Sequence, residues 1–112
     1  EALLFDIIGY GDELVASGGM SKITEMLFEH SVKLLRYALP SDNLAFIRKG
    51  IPVTLITAAP KSDLIDNGDL TYSVKPQADF YKTFHNQNLD NQVEIINFDT
   101  VNKAYVMLKE LY

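Results

Sequence analysis

"ELVASGGMSK", residues 13–22, decides how this chain is organised. Ser17-Gly18-Gly19 has the composition of a flexible joint, and Met20-Ser21-Lys22 behind it reads like the start of a reading frame, whereas residue 1 is a glutamate. On this reading the chain has three parts: an acidic apolar peptide segment at residues 1–16, a Ser-Gly-Gly linker at 17–19, and a single compact α/β domain at 20–112. The segment is then a partner's motif fused in cis, held on its receptor by an effective concentration of about a millimolar for a short tether. The competing reading makes residues 1–16 the first helix of a natural domain. Ser17-Gly18-Gly19 is then its loop, since glycine suits the left-handed residue after a helix end.

Charge divides at the same joint. Residues 1–19 hold Glu1, Asp6, Asp12 and Glu13 with no base, a net −4. Residues 20–112 hold the ten Lys and Arg against the remaining eleven acids, a net −1, which completes the overall −5. A charge shift that coincides with a Ser/Gly stretch marks a module boundary.

Within the leading segment, Leu3, Leu4, Ile7 and Ile8 follow the i, i+1, i+4, i+5 spacing of one helical face, and Phe5 widens it. Gly9 and Gly11 then interrupt the pattern around Tyr10. The reading is a short apolar helix or extended strip, then a second apolar patch at Leu14 and Val15, and so short a piece is unstable alone and must dock to something.

The remainder predicts an α/β (α+β) fold, a small three-stranded sheet with about four helices packed on it, preceded by the docked N-terminal peptide. A first helix is expected from Ser21 to about Leu39, where Pro40 ends it. Its apolar residues fall into two stripes, one of them Phe28, Val32 and Leu35, so the helix needs two partners. "DNLAFIRK" suits a short helix after a Ser41 cap, closed by Gly50. "IPVTLITAA" is β-branched with almost no polar break, the pattern of a strand covered on both faces. Asn67-Gly68 predicts a turn into a half-exposed strand "LTYSV". "PQADFYKTFHNQNL" suits a helix and "VEIINF" a third strand. A last helix, capped by Asp99 or Thr100, carries the stripe Val101, Ala104, Tyr105, Leu108, Leu111 and Tyr112.

Composition narrows the function. With 47% apolar and 22% charged residues the chain has the make-up of an ordinary globular domain. The negative balance disfavours nucleic acid, whose recognition relies on clustered Lys and Arg. No apolar run approaches the roughly 18–20 residues that span a bilayer, and no signal-peptide pattern opens the chain, so no membrane partner and a cytoplasmic location are expected. The absence of cysteine removes disulfides and thiolate chemistry.

Motifs for catalysis or metals are absent. No glycine-rich phosphate loop is present, and no nucleophile elbow. His30 and His85 fall on different predicted helices without a second ligand at metal spacing. Asp63, Asp66 and Asp69 around Asn67-Gly68 miss the calcium-loop spacing and suit turns. No cofactor, no metal and no catalytic residue is assigned.

The expected function is that of a protein-protein interaction module, an adaptor or regulator, that binds a short acidic, apolar linear motif of a partner protein. The peptide anchors are Leu4, Phe5, Ile7, Ile8 and Tyr10, because buried aliphatic and aromatic side chains carry most interface energy. The receiving face is Phe28, Val32 and Leu35, with Lys33 and Arg36 placed to meet Asp6 or Asp12. A three-residue tether also allows a domain-swapped dimer. The alternative is a small enzyme or enzyme subunit with a pocket at the carboxyl ends of "VTLITAA" and "VEIINFD", using Asp99 or a histidine as acid or base.

Overall fold

The structure is a computed structural model that describes residues 2–18, 26–37, 39, 41–76, 78 and 93–111. Its frame is a six-stranded mixed sheet of β1 (Ala2–Phe5), β2 (Glu13–Ser17), β3 (Lys33–Leu35), β4 (Val53–Ala59), β5 (Leu64–Asp66) and β6 (Thr71–Val74). The order across the sheet is β1-β4-β2-β3-β6-β5. Among the described residues the helical pieces are residues 26–29, α1 (Asn43–Arg48) and α2 (Phe98–Leu111). The expected three-stranded sheet with about four helices is therefore corrected, among the described residues, to six strands and three helices, still a mixed α/β fold.

β4 is the strand that the β-branched run predicts, and all seven of its residues are buried. It is covered at both edges by the leading segment, with β1 parallel on one side and β2 antiparallel on the other. Residues 2–5 and 13–17 are thus strands, so of the two readings of the leading apolar residues the extended strip holds and the short helix does not. The spacing misleads because a strand beside a parallel neighbour is apolar on both faces, so its hydrophobic residues run consecutively and imitate i, i+1 pairs. Ile7 and Ile8 complete the false helical pattern from the turn beyond β1, outside the strand altogether.

The expected helix from Ser21 to Leu39 is overturned in its second half. Helical residues 26–29 end where Ser31 takes φ +59. Ser31 N–H then donates to the Phe28 carbonyl and Val32 N–H to the Leu27 carbonyl, the paired bonds that close a helix around a left-handed residue. The chain is thereby turned into β3, which pairs parallel to both β2 and β6. "VEIINF" is likewise not a strand: Val93–Ile95 forms a 3₁₀ turn, and Asn97 accepts from Thr100 N–H through its side chain to cap α2. The expected helix over "PQADFYKTFHNQNL" lies outside the described residues, apart from Ala78.

Side chains alternate across the sheet. On one face Leu14, Ala16, Ile56 and Ala58 pack with Leu27, Val32, Ala104 and Met107, which places α2 over β2 and β4. On the other, Ala59 and Ala78 pack with Tyr10, Leu39, Leu64 and Val74. No described helix is long and apolar enough to cross a membrane.

Candidate functional site: the seat of the leading segment

The loop over residues 6–12 joins β1 to β2 across the carboxyl ends of β1 and β4, and the rest of the chain binds it bond by bond. Ser41 Oγ donates to the Asp6 carboxylate at 2.7 Å. Ala58 N–H and Thr57 Oγ1 both donate to the Ile7 carbonyl, at 3.1 and 3.3 Å. Asn97 N–H donates to the Gly9 carbonyl at 2.8 Å, and Thr100 Oγ1 to the Gly11 carbonyl at 2.7 Å. Lys61 N–H donates to the Asp12 carboxylate at 2.7 Å.

Two backbone features fix this path. Ile7 adopts φ +52, a left-handed conformation that costs a β-branched residue about 1–3 kcal/mol. The two hydrogen bonds to its carbonyl hold it there. Gly11 adopts φ +106, and a Cβ built on it would stand 2.2 Å from the Ala59 carbonyl carbon, so only glycine lets the loop lie this close to β4.

The expected anchors divide between the two sides of the sheet. Phe5 and Ile8 pack against the cluster under α2, and Tyr10 packs into the opposite cluster. Leu4 is half-buried in β1. The deepest burial in the segment falls beyond these residues, at Leu14, Val15 and Ala16, which are 2%, 0% and 1% exposed. On the expected receiving face, Val32 lies in the same cluster as Phe5 and Ile8, while Phe28 is 48% exposed. Leu35 is buried one strand position beyond Leu34, on the other face of the sheet from it.

The charged residues pair differently from expectation. Lys33 sits 3.8 Å from Glu13 and over the Tyr72 ring. Arg36 binds Asp69 at 2.8 Å. The Thr71 hydroxyl, then the Arg36 guanidinium, hold the Asp69 carboxyl below its ordinary value. The residues that grip the segment and that the sequence did not single out for this task are Ser41, Thr57, Asn97 and Thr100. Their only signal was a polar side chain beside a strand or helix end, which turns and caps also explain.

Beside this seat lies an open depression of about 520 Å³ lined by Tyr10, Asp12, Glu94, Asn97, Phe98 and Asp99 among others. It sits where the chain leaves β4, since Asp12 is tied to Lys61 and Gly11 rests on Ala59. Among the described residues no group of three or more His, Asp or Glu is arranged to hold a metal ion. His30 hydrogen-bonds to Glu110, and His85 lies outside the described residues.

Comparison with known proteins adds no relative: no family model, no curated protein and no solved structure matches the chain.

Proposed function

We propose that the chain is a protein-interaction module, an adaptor or regulator, whose ligand is an acidic apolar peptide taken up as sheet strands, with residues 1–16 supplying that ligand in cis. Strand addition suits such a ligand, because main-chain hydrogen bonds give affinity and alternate side chains give specificity. One observation carries the reading: among the described residues, both edges of β4 are occupied by strands of the leading segment. Without residues 2–17, β4 would present two open edges with a buried-type sequence between them, a slot for an extended apolar peptide. The five bonds from Ser41, Thr57, Lys61, Asn97 and Thr100 to residues 6–12 would then set register and direction. A cytoplasmic location belongs to the same proposal.

The test supplies the ligand from outside. A chain whose own segment is crippled by Ala16→Asp should capture a labelled peptide of residues 1–16, while the wild-type chain, its slot filled, should not. A crippled chain that stays unfolded and ignores the peptide counts against the reading.

A second reading is favoured by the depression at the end of β4. Its position and its Asp99 fit a small enzyme pocket of the kind that open α/β sheets place at strand carboxyl ends. Asp99 would act there as acid or base. Asp99→Asn should then abolish turnover of any substrate found for the chain while leaving peptide capture intact.

A further inference from the structure

Asn67-Gly68 turns the chain from β5 into β6, and the same dipeptide carries a reactivity that a turn does not use. The Gly68 amide nitrogen, once deprotonated, attacks the Asn67 side-chain carbonyl carbon, with no side chain on glycine to hinder it. The bond from that nitrogen to Cγ forms and the Cγ–Nδ2 bond breaks. The side-chain nitrogen leaves as ammonia, taking up the equivalent of the proton that Gly68 gave up. Water then opens the resulting succinimide at either carbonyl, to aspartate or to isoaspartate, whose main chain runs through the side-chain carbon.

The folded hairpin withholds both reactants. Asn67 Nδ2 donates to Thr71 Oγ1 at 3.2 Å and to Ser73 Oγ at 3.0 Å. Ser73 pairs with Ile65, two residues before Asn67, so the side chain lies back along the hairpin, away from Gly68. Gly68 N–H donates to the Asp66 carboxylate at 2.9 Å, which occupies the proton that must leave. The charge of that carboxylate also opposes an anionic nitrogen beside it.

The hairpin itself is lightly built. β5 has three residues and lies at an edge of the sheet among the described strands. Leu70 closes the turn at φ +70, a strained conformation for a leucine, and its side chain is exposed. Such elements open locally without unfolding of the whole domain.

We propose that Asn67-Gly68 is a self-modifying site, gated by opening of the β5–β6 hairpin and locked by its own product. A carboxylate at position 67 has no N–H to donate to Thr71 or Ser73, and its charge joins those of Asp66 and Asp69 at the same turn. Isoaspartate also adds a methylene to the main chain where Asn67 N–H donates to the Thr71 carbonyl. The hairpin then stays loosened, a one-way record of the time spent open. The site stands whether residues 1–16 are a captured ligand or a native part of the domain.

The test incubates the full chain at mildly alkaline pH and measures aspartate and isoaspartate at position 67 by peptide mass mapping. The folded chain should convert about tenfold or more slowly than the same chain in urea. Leu70→Gly relieves the left-handed strain, so it should slow conversion and Asn67 amide exchange in proportion, by about threefold or more. Ser73→Ala removes an acceptor of the Asn67 amide and should speed conversion. Asn67→Asp should exchange its residue-67 amide faster than the wild type does. Equal rates folded and in urea, or no conversion in urea, overturn the proposal. So do a conversion rate that fails to follow amide exchange in Leu70→Gly, an unchanged rate in Ser73→Ala, and wild-type exchange in Asn67→Asp.

Discussion

Leu14 on β2 stands directly opposite Ala58 on β4, and both are essentially excluded from solvent. The pair joins the leading segment to β4 on the face that α2 covers. Leu14→Ala should therefore cost about 2–5 kcal/mol of stability by urea unfolding, the range for a buried leucine. Phe28→Ala, at a position 48% exposed, should change stability by about 0.5 kcal/mol or less.

Phe5 and Ile8 are the expected anchors that pack on the same cluster. Both are half-buried, so truncation of either to alanine should cost about 2–4 kcal/mol, somewhat under the full-burial value. Denaturant titration of the two variants checks this, and a loss of only a few tenths at both would remove them as anchors.

Gly11 and Gly68 both have positive φ but different surroundings. A Cβ at Gly11 meets the Ala59 and Pro60 backbone within 2.5 Å, whereas one at Gly68 meets nothing within 4 Å. Gly11→Ala should destabilise by about 2–5 kcal/mol from left-handed strain plus overpacking, and Gly68→Ala by about 1 kcal/mol from strain alone. Thermal unfolding of the two variants side by side gives the comparison.

Asp69 accepts hydrogen bonds from Thr71 and Arg36, which lower its pKa from the ordinary 3.8. A carboxyl with a lower pKa folded than unfolded adds stability above the unfolded value, and that contribution disappears as pH falls through the folded value. Stability should thus decline on acidification below about pH 4. Thr71→Val should raise the Asp69 midpoint towards 3.8 in a carboxyl chemical-shift titration and flatten this part of the stability profile.

Lys33 lies between the Glu13 carboxylate and the Tyr72 ring. Partly exposed ion pairs and cation–π contacts are weak, so Lys33→Met should cost about 1 kcal/mol or less, measured by urea titration at low and high salt.

Several elements were legible in the sequence because local signals agreed with the final environment. The apolar β-branched run gave β4, Asn67-Gly68 gave the turn before β6, and the regular stripe gave α2. Elsewhere the periodicities collided. Two apolar stripes around residues 28–35 arose from a short helix followed by a strand with residues on both faces of the sheet, and no glycine marked the break, because Ser31 takes the left-handed position. The stripe on α2 was also displaced: Ala104 and Met107 are buried, while Tyr105 is exposed. At the seat itself, Phe5, Ile8 and Tyr10 were visible as apolar anchors. Asn97 and Thr100 were not, because hydrogen bonds to main-chain carbonyls over such sequence distances leave no local pattern.

The central claim is that residues 1–16 behave as a bound ligand. The direct measurement inserts a protease site after Gly19, cuts the folded chain, and follows the release of the segment against added labelled peptide of residues 1–16. The expected result is that the cut chain keeps its fold, retains the segment, and exchanges it for the labelled peptide without global unfolding. Exchange only through complete unfolding, or collapse of the fold upon cutting, would contradict the claim and make β1 and β2 inseparable parts of one domain.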